Sequence, residues 1–170
     1  MQYLYAAEIS DFEDTKEHYK NLTNSIHSLH YLFLLQISFL IEILKKAEDK
    51  YNISQQSVTG NVSDKYSNKK FSENIFLNDL ASNLKIVELL KSNEFVNWEV
   101  DYKYVNIIYD KIINSEIYDS YMKSKINSFA EDLKFVYDIF IDIIIADENF
   151  QAFFEEKIIY WMDDFPFVIT

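Results

Sequence analysis

Two histidines on one predicted helix are the residues whose types and spacing come nearest to a metal site. His27 and His30 lie three positions apart, so both imidazoles project from the same helix face. A protein zinc site needs three or four ligands, and spacing dictates no third one; His18, about two turns upstream, changes little. We therefore expect ordinary polar or half-buried histidines, and no metal or cofactor.

Paired carboxylates are the other side chains suited to chemistry, because two neighbouring acids can serve as general acid and general base. The pairs are Glu131 with Asp132, Asp138 with Asp142, and Glu155 with Glu156. Asp138 and Asp142 fall opposite the apolar stripe of their predicted helix, and a solvated acidic face explains such pairs. With no cysteine, no glycine-rich phosphate loop and no Gly-x-Ser-x-Gly elbow, the sequence predicts a protein that is not an enzyme and has no catalytic residue.

Helices must position all of these side chains, since the sequence has almost none of the residues that form turns between strands. Its 170 residues contain one glycine and one proline, whereas hairpin turns rely on glycine or Asn-Gly steps. The core material is aromatic, with 13 Tyr, 14 Phe and 2 Trp. We predict an all-α fold, a bundle of about six to seven helices that forms a single helical domain or fragment over residues 1–170.

One long amphipathic helix dominates this prediction and runs from about residue 14 to residue 51. Its apolar positions recur at spacings of three and four, which defines one stripe of a helix. The stripe comprises Tyr19, Leu22, Ile26, Leu29, Phe33, Ile37, Leu40, Leu44, Ala47 and Tyr51. We expect this stripe to be the buried spine of the fold.

A polar segment separates the long helix from the rest of the chain. It is rich in serine and asparagine, holds the only glycine and has no consistent period. This composition predicts one mobile polar loop over about residues 52–72.

Capping residues mark the helix starts in the second half of the chain. Ser128, with Glu131 three positions on, forms a capping box. Asp101, Ser115 and Asp147 suit the starts of three other helices. Behind the capping box, the predicted apolar stripe consists of Phe129, Leu133, Val136, Phe140 and Ile143.

The charge balance excludes several classes of partner. Sixteen basic against 28 acidic residues give a net charge of −12, and every basic residue is a lysine. Nucleic-acid affinity depends on neutralised phosphates and often on the arginine fork, so this chain alone is not expected to bind RNA or DNA. A membrane is not expected either, because the most apolar stretch, residues 31–44, is 14 residues long and a span needs about 20. The lack of cysteine favours a reducing compartment, and we expect the cytoplasm.

Five segments of the chain follow one another as MQYLYA, KKFSENIFLNDLASN, NWEVDYKYVNIIYDKIINSEIYDSYM, SFAEDLKFVYDIF and FFEEKIIYWMDDFPFV. In sequence and in order they resemble the amino-terminal portion of the long variety of NusB-type transcription antitermination factors. The residues that carry the resemblance are Gln2, Leu4, Tyr5, Trp98, Ser128, Phe129, Glu131, Asp132, Trp161, Asp163, Asp164 and Val168.

The resemblance implies an all-helical factor of transcription antitermination or termination that binds a boxA-type RNA element and the ribosomal protein NusE. The family's RNA-contacting arginines lie just before the stretch that contains Gln2 and Tyr5, and so would fall ahead of Met1. The family's carboxyl-terminal helical bundle is not among the five segments. We therefore expect this chain to be a fragment, with NusE and RNA as partners of the full-length factor only and no RNA-binding residue here.

A second class of function stays open, namely a stand-alone helical module that binds other proteins and has no nucleic-acid role. So many aromatic residues exceed what many cores of this size need, and an exposed aromatic patch would suit a partner helix. Both tryptophans, Trp98 and Trp161, are nevertheless expected to be core anchors.

The end of the chain raises the question of self-association. We expect Asp163 and Asp164 to cap a last helix, which leaves the apolar side chains behind them without a cover. Those side chains are Phe165, Phe167, Val168 and Ile169. They are expected either to dock on their own domain or to pair with a second copy as a homodimer.

Overall fold

The computed structural model describes residues 15–56, 69–92 and 98–157, and these residues form seven α-helices with no strand among them. The helices are α1 (Thr15–Gln56), α2 (Ile75–Ser82), α3 (Leu84–Ser92), α4 (Trp98–Ile113), α5 (Glu116–Lys123), α6 (Phe129–Ile139) and α7 (Glu148–Lys157). A π-helical turn, Phe140–Ile144, follows α6 directly. The predicted all-α fold of about six to seven helices is confirmed for the described residues.

The chain divides into two compact units. One consists of Leu35–Phe153, and the other consists of Met1–Leu34 together with Phe154–Thr170. In the second unit the structure describes only residues 15–34, which begin α1, and residues 154–157, which end α7. The candidate site and both aromatic clusters described below lie in the first unit.

The long helix α1 covers the whole predicted helix and continues to Gln56. Along its second half the predicted stripe is buried, at Ile37, Leu40, Leu44 and Ala47. The spine prediction is therefore confirmed for this half of α1.

Two stripe positions in the first half of α1 correct that prediction. Ile26 is 59% exposed and Phe33 is 48% exposed, whereas the neighbouring Leu32 and Leu34 are buried. Each residue turns the helix by about 100°, so the buried face here differs from the predicted one. Spacing identifies side chains that share a face, but the surrounding chain decides which face is covered.

α1 is also the one helix in the described residues that is long and apolar enough to cross a membrane, within Leu22–Gln56. The apolar window extends beyond residues 31–44, because an 18-residue window reaches a mean hydropathy of 1.5. Core helices share this length and composition, and 56% of the window is buried inside the protein. The window is therefore weak evidence for a membrane span.

The first aromatic cluster surrounds the indole of Trp98 at the described start of α4. Trp98 lies 5.2 Å from Phe39, centroid to centroid, and its Nε1–H donates a 3.1 Å hydrogen bond to Ser38 Oγ. The cluster comprises Phe39, Trp98, Tyr104, Phe150 and Phe153. The prediction of Trp98 as a core anchor is confirmed, while Trp161 lies outside the described residues.

The position of Trp98 also corrects the predicted start of its helix. Asp101 lies inside α4 and is not its N-cap. The helix already includes Trp98, three positions upstream of Asp101, and the sequence pattern around Asp101 gave no sign of this.

The second aromatic cluster is built around Phe71, which lies in a hydrogen-bonded turn over residues 69–73. The Phe71 ring is buried, 5.2 Å from Phe135 and 5.8 Å from Tyr118. The cluster comprises Phe71, Tyr109, Tyr118, Tyr121 and Phe135. The predicted polar loop is therefore wrong at both of its ends, because residues 52–56 are helical and residues 69–72 form a packed turn; residues 57–68 lie outside the described part.

Helix α6 starts where predicted but buries a different face. Ser128 Oγ accepts the Glu131 N–H at 3.3 Å, as half of the capping box requires. The stripe prediction is wrong at Phe129 and Leu133, which are exposed. The buried residues of α6 are Asp132, Phe135, Val136 and Ile139.

The π turn after α6 shifts the register once more. A π turn accommodates an extra residue, and Ile145 N–H accordingly donates to Phe140 O at 3.0 Å, five positions back. Ile144 is buried here, while the predicted stripe residues Phe140 and Ile143 are only half-buried. A stripe extrapolated at 3.6 residues per turn cannot anticipate this shift.

Candidate functional site

A buried carboxylate, Asp132, lies where three chain segments meet. Its Oδ1 accepts a 2.6 Å hydrogen bond from the Tyr121 hydroxyl of α5. Its Oδ2 accepts a 2.7 Å hydrogen bond from the backbone N–H of Ile75, the first residue of α2. The expectation that Asp132 belongs to a solvated acidic face is therefore wrong. The two donors replace the hydrogen bonds from water that the carboxylate loses on burial.

The side chain of Lys70 lies at the same junction of α5 and α6 and is nearly buried. Its Nζ donates to the backbone oxygens of Tyr121, Ser124 and Ile126 at 2.9, 3.1 and 2.9 Å. It also forms a 3.1 Å ion pair with Glu131 and lies 4.4 Å from the centroid of the Tyr121 ring. Since the last carbonyls of a helix lack partners, Lys70 caps the carboxyl end of α5.

Asn74 joins the same network from the start of α2. Its Oδ1 accepts the Leu77 N–H at 3.0 Å, which makes Asn74 the N-cap of α2. Its Nδ2 donates to the Tyr121 hydroxyl and to the backbone oxygen of Asp132, both at 3.3 Å. We call these five side chains, Lys70, Asn74, Tyr121, Glu131 and Asp132, the polar hub.

Burial and hydrogen bonding shift the pKa values of two hub residues, Tyr121 and Glu131. Burial raises the pKa of the Tyr121 phenol, and the hydrogen bond to Asp132 raises it further, so Tyr121 stays a neutral donor at physiological pH. Hydrogen bonds from Ser124 and then Lys70 lower the pKa of Glu131 and outweigh its desolvation. The hydrogen bonds of the hub therefore hold α2, α5 and α6 together.

Two cavities of about 420 and 410 Å³ flank the hub. The first is lined by Lys69, Lys70, Glu73, Ile75, Ser124, Lys125, Asn127 and Asp132. The second is lined by Glu116, Ile117, Ser120, Tyr121, Glu131, Lys134, Phe135 and Asp138. Their volumes suit a small molecule, but their charged groups are largely engaged with one another, for example Lys69 with Glu73 at 2.8 Å. We assign neither cavity a catalytic role.

A second polar junction connects α4 to the start of α7. Asp147 Oδ1 accepts the Phe150 N–H at 2.8 Å, which confirms the predicted N-cap, and Oδ2 pairs with Lys111. Burial raises the pKa of this carboxyl, but the Lys111 hydrogen bond and the backbone N–H groups lower it more, so the pKa of Asp147 ends below its usual value.

Exposed apolar side chains lie on α2, α3 and α6. Helix α3 has no buried residue, and its Leu84 is 77% exposed. On α6, Phe129, Leu133 and Tyr137 follow at four-residue spacing with exposures of 47, 40 and 55%. Phe76 of α2 lies 6.0 Å from Phe129, centroid to centroid. We call the exposed stripe of α6, which consists of Phe129, Leu133 and Tyr137, the apolar face.

The family-motif residues fall into three groups. Ser128, Glu131 and Asp132 meet at the start of α6, two of them inside the hub, and Phe129 beside them belongs to the apolar face. Trp98 lies apart from them, in the first aromatic cluster. The remaining motif residues, Gln2, Leu4, Tyr5, Trp161, Asp163, Asp164 and Val168, lie outside the described residues.

The histidines considered for metal binding, His27 and His30, are both exposed on α1. Within residues 15–56, 69–92 and 98–157, no group of three or more His, Cys, Asp or Glu side chains comes together as a possible metal site.

Sequence reasoning missed three members of the hub, Lys70, Asn74 and Tyr121. Asn74 had a readable signal, because an asparagine directly before the apolar run that starts at Ile75 suits an N-cap. Lys70 and Tyr121 had none, since Lys70 lies 61 positions from Glu131 and Tyr121 lies 11 positions from Asp132, on a different helix.

Comparisons with protein-family models, with curated proteins and with solved structures found no match for this chain. The resemblance to NusB-type factors therefore stays a prediction.

Proposed function

We propose that this chain is a non-catalytic helical protein that works in the cytoplasm by binding other proteins. The observation that carries the proposal is helix α3, an amphipathic helix without one buried residue. Exposed apolar side chains on an amphipathic helix, such as Leu84 at 77%, are typical of a contact site. The hub supports the non-catalytic part, because its carboxylate, phenol and ammonium groups are all bonded within the fold.

The specific form that we propose is a part of a NusB-like factor of transcription antitermination or termination. Its support is the ordered resemblance of five segments, including the Ser128 to Asp132 stretch that starts α6. In this form the full-length factor assembles with NusE and boxA-type RNA, while the present chain, with a net charge of −12 and no arginine, contributes protein contacts only.

Binding of a labelled boxA-type RNA and of NusE tests this form. We expect no RNA binding by this chain, and binding by a chain extended at its start with the arginine-containing segment that the family carries. RNA binding by the present chain that weakens steeply with salt would contradict our account of where the binding groups lie. If the extended chain binds neither RNA nor NusE, the antitermination role is wrong.

The stand-alone interaction module is the second candidate, and helix α3, which has no buried residue, favours it equally. It predicts protein binding that persists when neither NusE nor RNA is bound by any form of the chain. Cell fractionation tests the location shared by both candidates. We expect the chain in the soluble fraction, and recovery with membranes would contradict the cytoplasmic proposal.

A further inference from the structure

Three asparagines of this chain are followed directly by serine, a pair whose own atoms can react with each other. The backbone nitrogen of the serine can attack the side-chain amide carbon of the asparagine and close a five-membered ring. The small side chain of serine leaves this attack open, whereas a backbone N–H held by an acceptor resists it. Asn24 and Ser25 lie inside α1, where the helix ladder holds the backbone N–H groups. The two pairs outside α1 are Asn114–Ser115 and Asn127–Ser128.

The Asn127–Ser128 pair lies between α5 and α6, outside any helix. Asn127 is exposed, and among the described residues neither its side-chain amide nor the Ser128 backbone N–H has a hydrogen-bond partner. A complete capping box would bind the Ser128 N–H to the Glu131 carboxylate, but Glu131 pairs with Lys70 at 3.1 Å instead. The Ser128 nitrogen is therefore available for attack.

The Asn114–Ser115 pair has the same residue types and an exposed asparagine, but both of its reacting groups are bonded. Asn114 Nδ2 donates to Asp110 O at 2.7 Å. The Ser115 N–H donates to Ile112 O at 3.0 Å. Attack at this pair must first break both hydrogen bonds, so the pair is a matched control for the one before α6.

We propose that Asn127 deamidates spontaneously, with Ser128 supplying the attacking nitrogen. The Ser128 nitrogen forms a bond to Asn127 Cγ, the Cγ–Nδ2 bond breaks, and the amide proton of Ser128 leaves with Nδ2 as ammonia. Water then opens the resulting succinimide at one of its two carbonyl carbons and gives aspartate or isoaspartate. The inference is independent of the proposed antitermination role. It is also independent of the homodimer expected through residues 165–169, which lie outside the described part of the chain.

The modification would fall beside the hub. Asn127 lines the cavity of about 420 Å³ together with Lys69, Lys70 and Lys125. A carboxylate in its place adds a negative charge ahead of the first turn of α6, where the helix dipole favours one. Isoaspartate also adds a methylene group to the main chain directly before the N-cap Ser128. Deamidation therefore alters charge and backbone at the point where the hub and α6 meet.

Peptide mapping by mass spectrometry tests the proposal on the full chain, aged in mildly alkaline buffer at body temperature. Trypsin releases residues 112–123 and 126–134, each of which contains a single asparagine, Asn114 or Asn127. Deamidation adds about 1 Da to a peptide, and isoaspartate is detected by enzymatic methylation. We expect the Asn127 peptide to gain this mass at least about tenfold faster than the Asn114 peptide, because the hydrogen bonds at Asn114 must break first.

Unfolding and substitution provide the controls. In guanidinium chloride both pairs lose their hydrogen bonds, so the two rates should come within about twofold of each other. Asn127→Gln keeps an amide but requires a six-membered ring, so the mass gain at residues 126–134 should disappear. Asn114→Gln should leave the rate at Asn127 unchanged, and circular dichroism reports the folding of each aged sample. Equal rates in the folded chain, a rate ratio that denaturant does not change, or a mass gain that persists in Asn127→Gln would each overturn the proposal.

Discussion

The Tyr121 hydroxyl lies 2.6 Å from Asp132 Oδ1, and the same tyrosine ring stacks 4.0 Å from Phe135, one turn further along α6. One side chain thus joins the polar hub to the second aromatic cluster. Tyr121→Phe keeps the stacking and removes the hydrogen bond, which leaves a buried carboxylate oxygen with one donor fewer.

We expect Tyr121→Phe to lower the free energy of unfolding by about 1 to 3 kcal/mol, measured by urea denaturation. Asp132→Asn should cost a similar amount, and the double variant should cost less than the two together, with a coupling of about 0.5 kcal/mol or more. Tyr137→Phe is the control, since this tyrosine of α6 is exposed, and should stay within about 0.5 kcal/mol. Strictly additive effects of the first two variants would show that the hydrogen bond carries no stability.

The junction of Asp147 with Lys111 predicts a dependence of stability on acid pH. The folded-state pKa of Asp147 is depressed, so its contribution is present above the unfolded pKa of about 3.9 and is lost as the pH falls through the folded pKa. Asp147→Asn keeps a capping side chain but cannot titrate. Unfolding measured from pH 6 down to pH 2, a range of about four units, should therefore show a shallower loss for Asp147→Asn than for the wild type. Parallel curves would mean that this carboxyl is not the titrating group.

Two phenylalanines on α1 differ sharply in exposure and should differ sharply in their contribution to the free energy of unfolding. Phe39→Ala removes a fully buried ring and should cost about 3 to 5 kcal/mol. Phe33→Ala removes a ring that is 48% exposed, and we expect a loss below about 1.5 kcal/mol. The melting midpoints of the two variants decide this, and a larger drop for Phe33→Ala would show that its exposed face is covered in solution.

Gln36 is buried in α1, and within the part of the chain that the structure describes its Nε2 has no hydrogen-bond partner. A buried donor without a partner costs about 1 to 3 kcal/mol, so Gln36→Met should stabilise the protein by about 1 kcal/mol. Gln55→Met is the matched control, because Gln55 is exposed on the same helix and should change little. A destabilised Gln36→Met protein would indicate that the amide serves a partner in solution.

The fold class was predictable because its signals are local. Spacing of apolar residues defined α1, and Ser115, Ser128 and Asp147 each cap the helix that follows them. The buried face of α6 was not predictable in this way. Its centre is Asp132, which a hydropathy pattern assigns to solvent, and the donors that make its burial possible come from Tyr121 and Ile75, 11 and 57 positions away.

The hub illustrates the same limit for the candidate site. Resemblance drew attention to Glu131 and Asp132, but it gave no indication that Lys70 caps the end of α5 beside them. The apolar face was likewise hidden, because Phe129 and Leu133 have the spacing of core residues and only the packing of α2 and α5 around α6 leaves them outside.

The bonds of the hub also determine the order in which this region assembles. Lys70 and Glu131 lie 61 positions apart, and the loop closed by their ion pair contains the whole of α2, α3, α4 and α5. Closing so long a ring loses chain entropy before any contact compensates for it, so the hub should be absent from the early folding ensemble and appear last. By the same reasoning, amide protons near Ile75 and Ser124 should exchange through openings smaller than global unfolding. Contacts that form late affect mainly the unfolding rate, so the hub should prolong the lifetime of the folded state more than it speeds folding.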